Sequence, residues 1–322
     1  MAPTSMPSEL SMGASAVTDR GRRREHNEDV AVVRADLNLY IVADGAGGHN
    51  AGDVASDLAT RSMVSYFEAT EESFHALPDF DRFGFPSGAR RLSGAVHEAN
   101  RDVLALSRSS QQHRGMGTTV VAGFFTARSG LLHIAHVGDS RCYRYRPPHL
   151  ELLTQDHSLL TDVLEQRPEL EAAVLARLPR HVVTRALGMD EQLRVSLSSH
   201  AIAPRDRYLF CSDGLSSVVG PEEILRVLAL REPTEDVAYR LVELANHAGG
   251  PDNIAALVLE CSAAQEGESF DSPRRLPASV DDFDEDPEIL ILGIEELDPD
   301  ERPHTASDGL LKALGELIKR GK

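Results

Sequence analysis

The chain has 322 residues, with 33 basic and 51 acidic side chains and a formal net charge of −18. Hydrophobic residues make up 41% and charged residues 26%, enough apolar material for one large folded unit or two ordinary ones and too much for wholesale disorder. The acidic balance excludes a general nucleic-acid binder, which needs a basic face to neutralise phosphates, and no apolar run approaches the ~18 residues of a membrane span.

Residues 1–13 read as a flexible N-terminus, and residues 1–15 lack the basic start and apolar stretch of a secretory signal. The body, 14–261, carries strand-like runs at 37–43, 118–125, 131–137, 208–211 and 254–260, rich in β-branched and aromatic residues. Helical periodicity falls at 51–69, 88–107, 157–166, 221–230 and 234–247. Pro221 suits the first turn of a helix, with Glu222 and Glu223 favourable beside its positive end. The stretch 70–92, with Pro78, Phe80, Phe83, Phe85 and Pro86, reads as a longer loop between two helices whose aromatics pack on the body or meet a partner. Strands and helices do not alternate regularly, which predicts mixed α+β layers rather than a doubly wound sheet. Cys142, Cys211 and Cys261 are too few and too scattered for a disulfide framework or a zinc cluster, and read as buried, reduced thiols of a cytoplasmic protein.

Composition shifts at residue 262. From there to residue 322 there are 16 acidic and 7 basic residues, a net of −9 and half of the total charge. Residues 262–286 read as an acidic linker. The tail, 287–322, holds the apolar run Ile289-Leu290-Ile291-Leu292-Gly293-Ile294, suited to adding to a sheet edge of this domain or of a partner. It also places Leu310, Leu311, Leu314, Leu317 and Ile318 on one helical face. That helix suits docking on its own domain or binding a partner; an acidic approach disfavours a membrane surface.

One pattern recurs at strand ends. Asp44-Gly45, Gly138-Asp139 and Asp213-Gly214 each follow an apolar run, and Gly250-Pro251-Asp252-Asn253 precedes one. Strand ends form rims, where sites are built. An aspartate there must be paired, because burying it alone costs several kcal/mol, of order ~2–7. Hard divalent cations take carboxylate, carbonyl and water oxygens, and glycine frees a carbonyl for close approach. Four such ends without a His/Cys cluster fit a two-metal, oxygen-ligand site. Each Asp-Gly alone is equally a turn. The run Arg20-Gly21-Arg22-Arg23-Arg24 adds a guanidinium able to grip a phosphate beside such a site.

Together these segments resemble the motifs of the metal-dependent type 2C protein serine/threonine phosphatases, in their bacterial form. The segments are Arg24-Glu25-His26-Asn27-Glu28-Asp29, Val42-Ala43-Asp44-Gly45-Ala46-Gly47-Gly48-His49, Gly117-Thr118-Thr119, His136-Val137-Gly138-Asp139-Ser140-Arg141, Cys211-Ser212-Asp213-Gly214-Leu215 and Gly250-Pro251-Asp252-Asn253. They occur in the family's order over about 14–261, and Leu153-Thr154-Gln155-Asp156-His157-Ser158 resembles the start of its flap.

The resemblance implies a four-layer αββα sandwich, with two antiparallel sheets flanked by helices and a flap at 159–187 beside the active site. It implies two or three Mg2+ or Mn2+ ions. Asp44 would bridge two of them, with the carbonyl of Gly45 on the second. Asp213 and Asp252 would hold the first, and Asp139 with Asp213 a third. Arg24 would bind the substrate phosphate, Glu28 and Asp29 would be outer-shell acceptors, and Asn253 would steady its turn. The implied reaction is hydrolysis of phosphoserine and phosphothreonine by water activated between two metals. Its partners would be phosphorylated proteins, among them a cognate kinase.

The sequence departs from eukaryotic members, which carry a His after the Asp-Gly; here Ala46 stands there. His49 is read either as a general acid or as structural. His133 and His136, on a strand, read as core or surface residues. A catalytically weak phosphoprotein-binding scaffold and a phosphatase of other phosphomonoesters are the alternatives to the phosphoprotein phosphatase.

Overall fold

The computed structural model describes residues 10–47, 51–170, 172–175, 178–179 and 182–263. The chain runs β1 (Leu10–Asp19), β2 (Asp29–Arg34), β3 (Leu39–Ala46), α1 (Gly52–His75), α2 (Ser87–Ser109), β4 (Gly117–Thr118), β5 (Val120–Thr126) and β6 (Leu131–Val137). It continues through β7 (Arg141–Arg146), β8 (His149–Leu152), α3 (Leu159–Gln166), α4 (Ala172–Leu175), β9 (Ser196–Ala201) and β10 (Arg207–Cys211). It closes with α5 (Asp213–Ser216), α6 (Pro221–Leu228), α7 (Thr234–His247) and β11 (Ile254–Ala263).

Two sheets form. One has the order β1-β11-β10-β7-β8; the other has β2-β3-β5-β6-β9, with β4 against β3. Every strand pairing is antiparallel.

The central strands are continuously apolar because both of their faces are buried. In β3, Leu39 and Ile41 point to the α1/α2 side while Tyr40 and Val42 point between the sheets. In β11, Ile254, Ala256 and Val258 meet α6 and α7, while Ala255, Leu257 and Leu259 fill the space between the sheets. Three stacked cores therefore make four layers, helices–sheet–sheet–helices, as the resemblance implies. Gly123 on β5 lets the sheets approach closely: a Cβ there would lie 2.7 Å from Cζ of Phe210 on β10.

The expected strands and helices all exist, with boundaries moved. Helix α1 runs on to His75 and α2 starts at Ser87, so the loop between them covers only 76–86. Asp81 folds this loop by accepting the N–H groups of Phe83 and Phe85 at 2.8 and 3.0 Å. Phe80 and Phe85 are half-buried there, whereas Phe83 is exposed, packs under Arg82 and does not pack on the body. Residues 10–13, expected within a flexible N-terminus, form the start of β1 and pair with residues 260–263 of β11. The sequence does not predict strands β1, β2, β7, β8 and β9. The expected flap holds α3 and α4 and a small core of Leu159, Val163 and Leu178. The linker beyond residue 263 and the tail lie outside the described residues, as does His49.

Candidate active site

The site grows from one rim of the sandwich, where β2 and β11 begin and β3, β6 and β10 end. Asp29 opens β2 directly opposite Asp44 near the end of β3. Asp139 follows β6, Asp213 follows β10 across Ser212, and Asp252 precedes β11 by two residues.

Glycines let these ends meet. A Cβ at Gly214 would sit 1.8 Å from the carbonyl oxygen of Asn253, so Gly214 allows the Asp213 turn to lie on the Asp252-Asn253 turn. Gly138 has φ +109°, a conformation that favours glycine, and a Cβ there would strike Thr119 at 2.5 Å.

The surrounding polar groups hold the carboxylates in place. The carbonyl of Asp44 accepts the Thr119 N–H and the Thr118 hydroxyl, both at 2.9 Å. The Thr119 hydroxyl pairs with Ser140 at 2.7 Å, tying the Asp44 strand to the Asp139 turn. Asn253 accepts the Glu28 N–H at 2.9 Å through Oδ1. Its Nδ2 donates to the carbonyls of Arg20 and His26 at 2.9 and 2.8 Å. It therefore clamps both ends of the 20–28 loop, a larger role than steadying its own turn. His157 accepts the Gly138 N–H at 3.0 Å, donates its own backbone N–H to the Gly138 carbonyl at 2.9 Å and stacks on His136 at 4.7 Å. His133 and His136 are both buried.

The charges crowd one another. Burial, then Asp29, Asp213, Asp139 and Asp252, hold Asp44 well above the usual carboxylate range. Burial raises Asp29 to about 7, against the pull of its Ser212 hydrogen bond and with the push of Asp213 and Asp252. Burial and Asp213 raise Asp139 to about 6. Burial and Asp53 raise Glu28. Such mutual repulsion is relieved by bound cations.

Arg24 Nη2 donates to Asp252 Oδ2 at 2.7 Å. Burial works against the Arg24 charge, but Asp252, with Glu28 and Asp44 beyond, outweighs it and raises its pKa. Arg24 is half-exposed, at 51%, so its outer face is open to an incoming anion.

The donor set fits hard divalent cations. It is all oxygen, and Asp29 supplies a pointed sign: Oδ2 accepts the Ser212 hydroxyl at 2.6 Å, whereas Oδ1 is buried without a hydrogen-bond partner. An acceptor so placed suits a donor on a cation's hydration shell. Among the described residues, no three His, Cys, Asp or Glu side chains close around one point as a ready-made ligand group. Asp252 is held instead by Arg24, so seating a cation on it means exchanging that partner.

Residues 20–245 match the model of the protein phosphatase 2C family. The chain belongs to that family. This phosphatase 2C member is thus a metal-dependent hydrolase of phosphorylated serine and threonine residues in proteins. It is similar to the serine/threonine phosphatase stp of Listeria monocytogenes, at 34% identity over 259 residues, covering 80% of this chain and 98% of the relative. It also resembles the crystal structure of the serine/threonine phosphatase PstP/Ppp of Mycobacterium tuberculosis, at 31% identity and a TM-score of 0.67, covering 77% of this chain and 98% of that one. A structure of the PstP catalytic domain in complex with two manganese ions matches at 32% identity and a TM-score of 0.66, covering 79% and 99%. Among the described residues of the phosphatase, no helix is long and apolar enough to cross a membrane.

Sequence reasoning singles out the charged residues of this rim and, Asn253 apart, misses its scaffold. Ser212, Thr119, Ser140 and His157 all fall inside the quoted motifs, beside or close to an aspartate. Their polarity next to apolar strands was the available signal.

Proposed function

We propose that this phosphatase works through two divalent cations, Mg2+ or Mn2+, seated on Asp44, Asp213 and Asp252 with the Gly45 carbonyl. Asp139 with Asp213 would hold a third. When bound, such cations lower the pKa of a water and place positive charge beside the phosphoryl oxygens. The residues of the chain supply the rest. Arg24 would leave Asp252 as the cation arrives and turn its planar fork to the substrate phosphate. Glu28 and Asp29 would accept hydrogen bonds from hydrating waters and so orient them. Asn253 would keep the Arg24 loop in register with Asp252, and Thr118 and Thr119 would keep Asp44 in register with Asp139. Charge on the transferring phosphoryl group is then met by groups already in position, the main source of rate in phosphoryl transfer.

The observation that carries this reading is the meeting of five aspartates and one half-exposed arginine on a single rim, with a buried, unpartnered oxygen on Asp29. The manganese complex of the PstP neighbour supports a two-ion count. The phosphatase would counter serine/threonine kinases in the cytoplasm, its substrates including a cognate kinase.

Kinetics of Arg24→Ala on a phosphothreonine peptide test the phosphate role. We expect kcat/KM to fall by about 100-fold, the scale of losing one oriented donor to developing charge. Arg24→Lys should recover only part, because an ammonium lacks the bidentate fork. Unchanged kcat/KM in Arg24→Ala would remove Arg24 from the mechanism.

A further inference from the structure

The loop between β1 and β2 carries four arginines, Arg20, Arg22, Arg23 and Arg24, and two of them are spent: Arg24 on Asp252 and Arg20 on the carbonyl of Glu25 at 3.3 Å. Arg22 and Arg23 are exposed, and among the described residues neither side chain has an ion pair or hydrogen bond. Their backbone is nonetheless fixed. Gly21 donates to Asp19 Oδ1 at 2.7 Å, and the Arg22 N–H donates to the Gly250 carbonyl at 2.8 Å. Gly21 also packs so tightly on Asp252 that a Cβ would lie 2.1 Å from its carbonyl oxygen, and Asn253 clamps the loop at Arg20 and His26. Asp19, the nearest aspartate in sequence, is occupied by Gly21 and by Asn246 at 3.0 Å. The exposed carboxylate left on the loop is Glu25, beyond Arg24.

Resting on the reading of this rim as the place where a phosphorylated residue is hydrolysed, we propose that Arg22 and Arg23 form an anion subsite. It selects phosphorylated residues that have a carboxylate or a second phosphate close by in the same peptide. Consecutive Cα atoms lie about 3.8 Å apart, so guanidinium groups one and two residues before Arg24 are within reach of peptide positions close to the reacting one. A rigid backbone removes most of the ordering cost of binding, leaving only side-chain entropy. Two unpaired positive charges on a molecule of net charge −18 place an attractive field for acidic peptides at this mouth. Basic peptides would gain nothing here, because the aspartates beneath would be engaged by the cations of the proposed reaction.

The test compares three phosphothreonine peptides of one length: alanine-flanked, aspartate-flanked within two residues, and carrying a second phosphothreonine two residues away. The readout is the ratio of kcat/KM for each acidic peptide to that of the neutral one. In the wild type this ratio should be about fivefold or more at low salt and shrink as salt rises, as expected of exposed charge pairs. In the full chain with Arg22→Ala and Arg23→Ala the ratio should fall to near one, and Arg22→Lys with Arg23→Lys should keep most of it. The aspartate and phosphate arms separate the two sources of negative charge. A ratio unchanged by the alanine pair, or lost equally in the lysine pair, would overturn the subsite.

Anisotropy of a labelled doubly phosphorylated peptide, measured in EDTA, gives a second readout free of turnover. Weaker binding by the alanine pair, about fivefold, is expected, and equal binding would overturn the proposal. If no peptide is hydrolysed by the wild type, the reading of the reaction fails while this binding comparison still decides the subsite.

Discussion

Ser212 shows how a residue without charge organises charged ones. Its hydroxyl donates to Asp29 at 2.6 Å and accepts the Ala255 N–H at 2.9 Å, linking the start of β2 to β10 and β11 through one atom. The carboxylates were legible in the sequence because an acid beside an apolar strand needs a partner. Ser212 and Asn253 were harder to read, since a serine or an asparagine in a turn is ordinary and only the folded chain shows what it joins. The buried histidines make a prediction at the same scale. His133 sits on β6 opposite Ser199 of β9, with ring nitrogens 3.0 Å from Thr126 Oγ1 and 2.8 Å from Ser199 Oγ, and burial followed by the neighbouring His200 pulls it down to about 3. Its folded pKa is below its unfolded value of about 6.5, so the unfolded chain binds the extra proton in that window. Stability contributed by neutral His133 is full above about pH 6.5 and is lost as pH falls towards 3. Urea unfolding followed by circular dichroism should show wild-type stability falling more steeply over this range than that of His133→Gln, by up to about 1.4 kcal/mol per pH unit. Parallel slopes would mean that the imidazole is not kept neutral by the fold.

Among the elements, the strands buried on both faces were the readable ones: β3, β5, β6, β10 and β11 are nearly unbroken apolar runs. Strands β1, β2, β7, β8 and β9 were not recognised. Strand β9, Ser-Leu-Ser-Ser-His-Ala, owes its form to β6 and not to its own propensity, since the β6–β9 ladder runs from Leu131↔Ala201 to His136↔Ser196. Strand β7 alternates charged and aromatic residues between β10 and β8, and its polarity disguises it. Helix α2 hides another unanticipated feature. Arg91 is buried, lies over the rings of Phe67, Phe74 and Phe124 and donates to Glu71 at 2.7 Å, pinning α2 to α1. The contact between the sheets is tested at Gly123. Replacing it with valine drives a side chain into Phe210, and overpacking of this kind costs typically about 1–3 kcal/mol. The denaturation midpoint of Gly123→Val should drop accordingly, with no loss of helix signal below the transition; an unchanged midpoint would mean that the sheets part easily.

At the scale of the molecule, the sandwich puts five strand ends, from both sheets, on one rim, and that is why residues as distant in sequence as Asp29 and Asp252 share a site. No local pattern gives such a juxtaposition; the ordered set of Asp-Gly segments did, because each marks a strand end and the resemblance supplied their common destination. The family membership and the layers agree with that expectation. The Arg24–Asp252 pair was not foreseen, since both residues had been assigned separate partners. The central claim is that this rim hydrolyses phosphoprotein esters only with divalent cations on its aspartates. The most direct measurement is phosphate release from a phosphothreonine peptide as Mn2+ is titrated, for the wild type and for Asp213→Asn, with folding of both checked by circular dichroism. The account predicts release that rises with Mn2+ to saturation, vanishes in chelator and falls at least about 100-fold in Asp213→Asn. Release that persists without divalent cations, or that Asp213→Asn sustains at the wild-type rate, would contradict it.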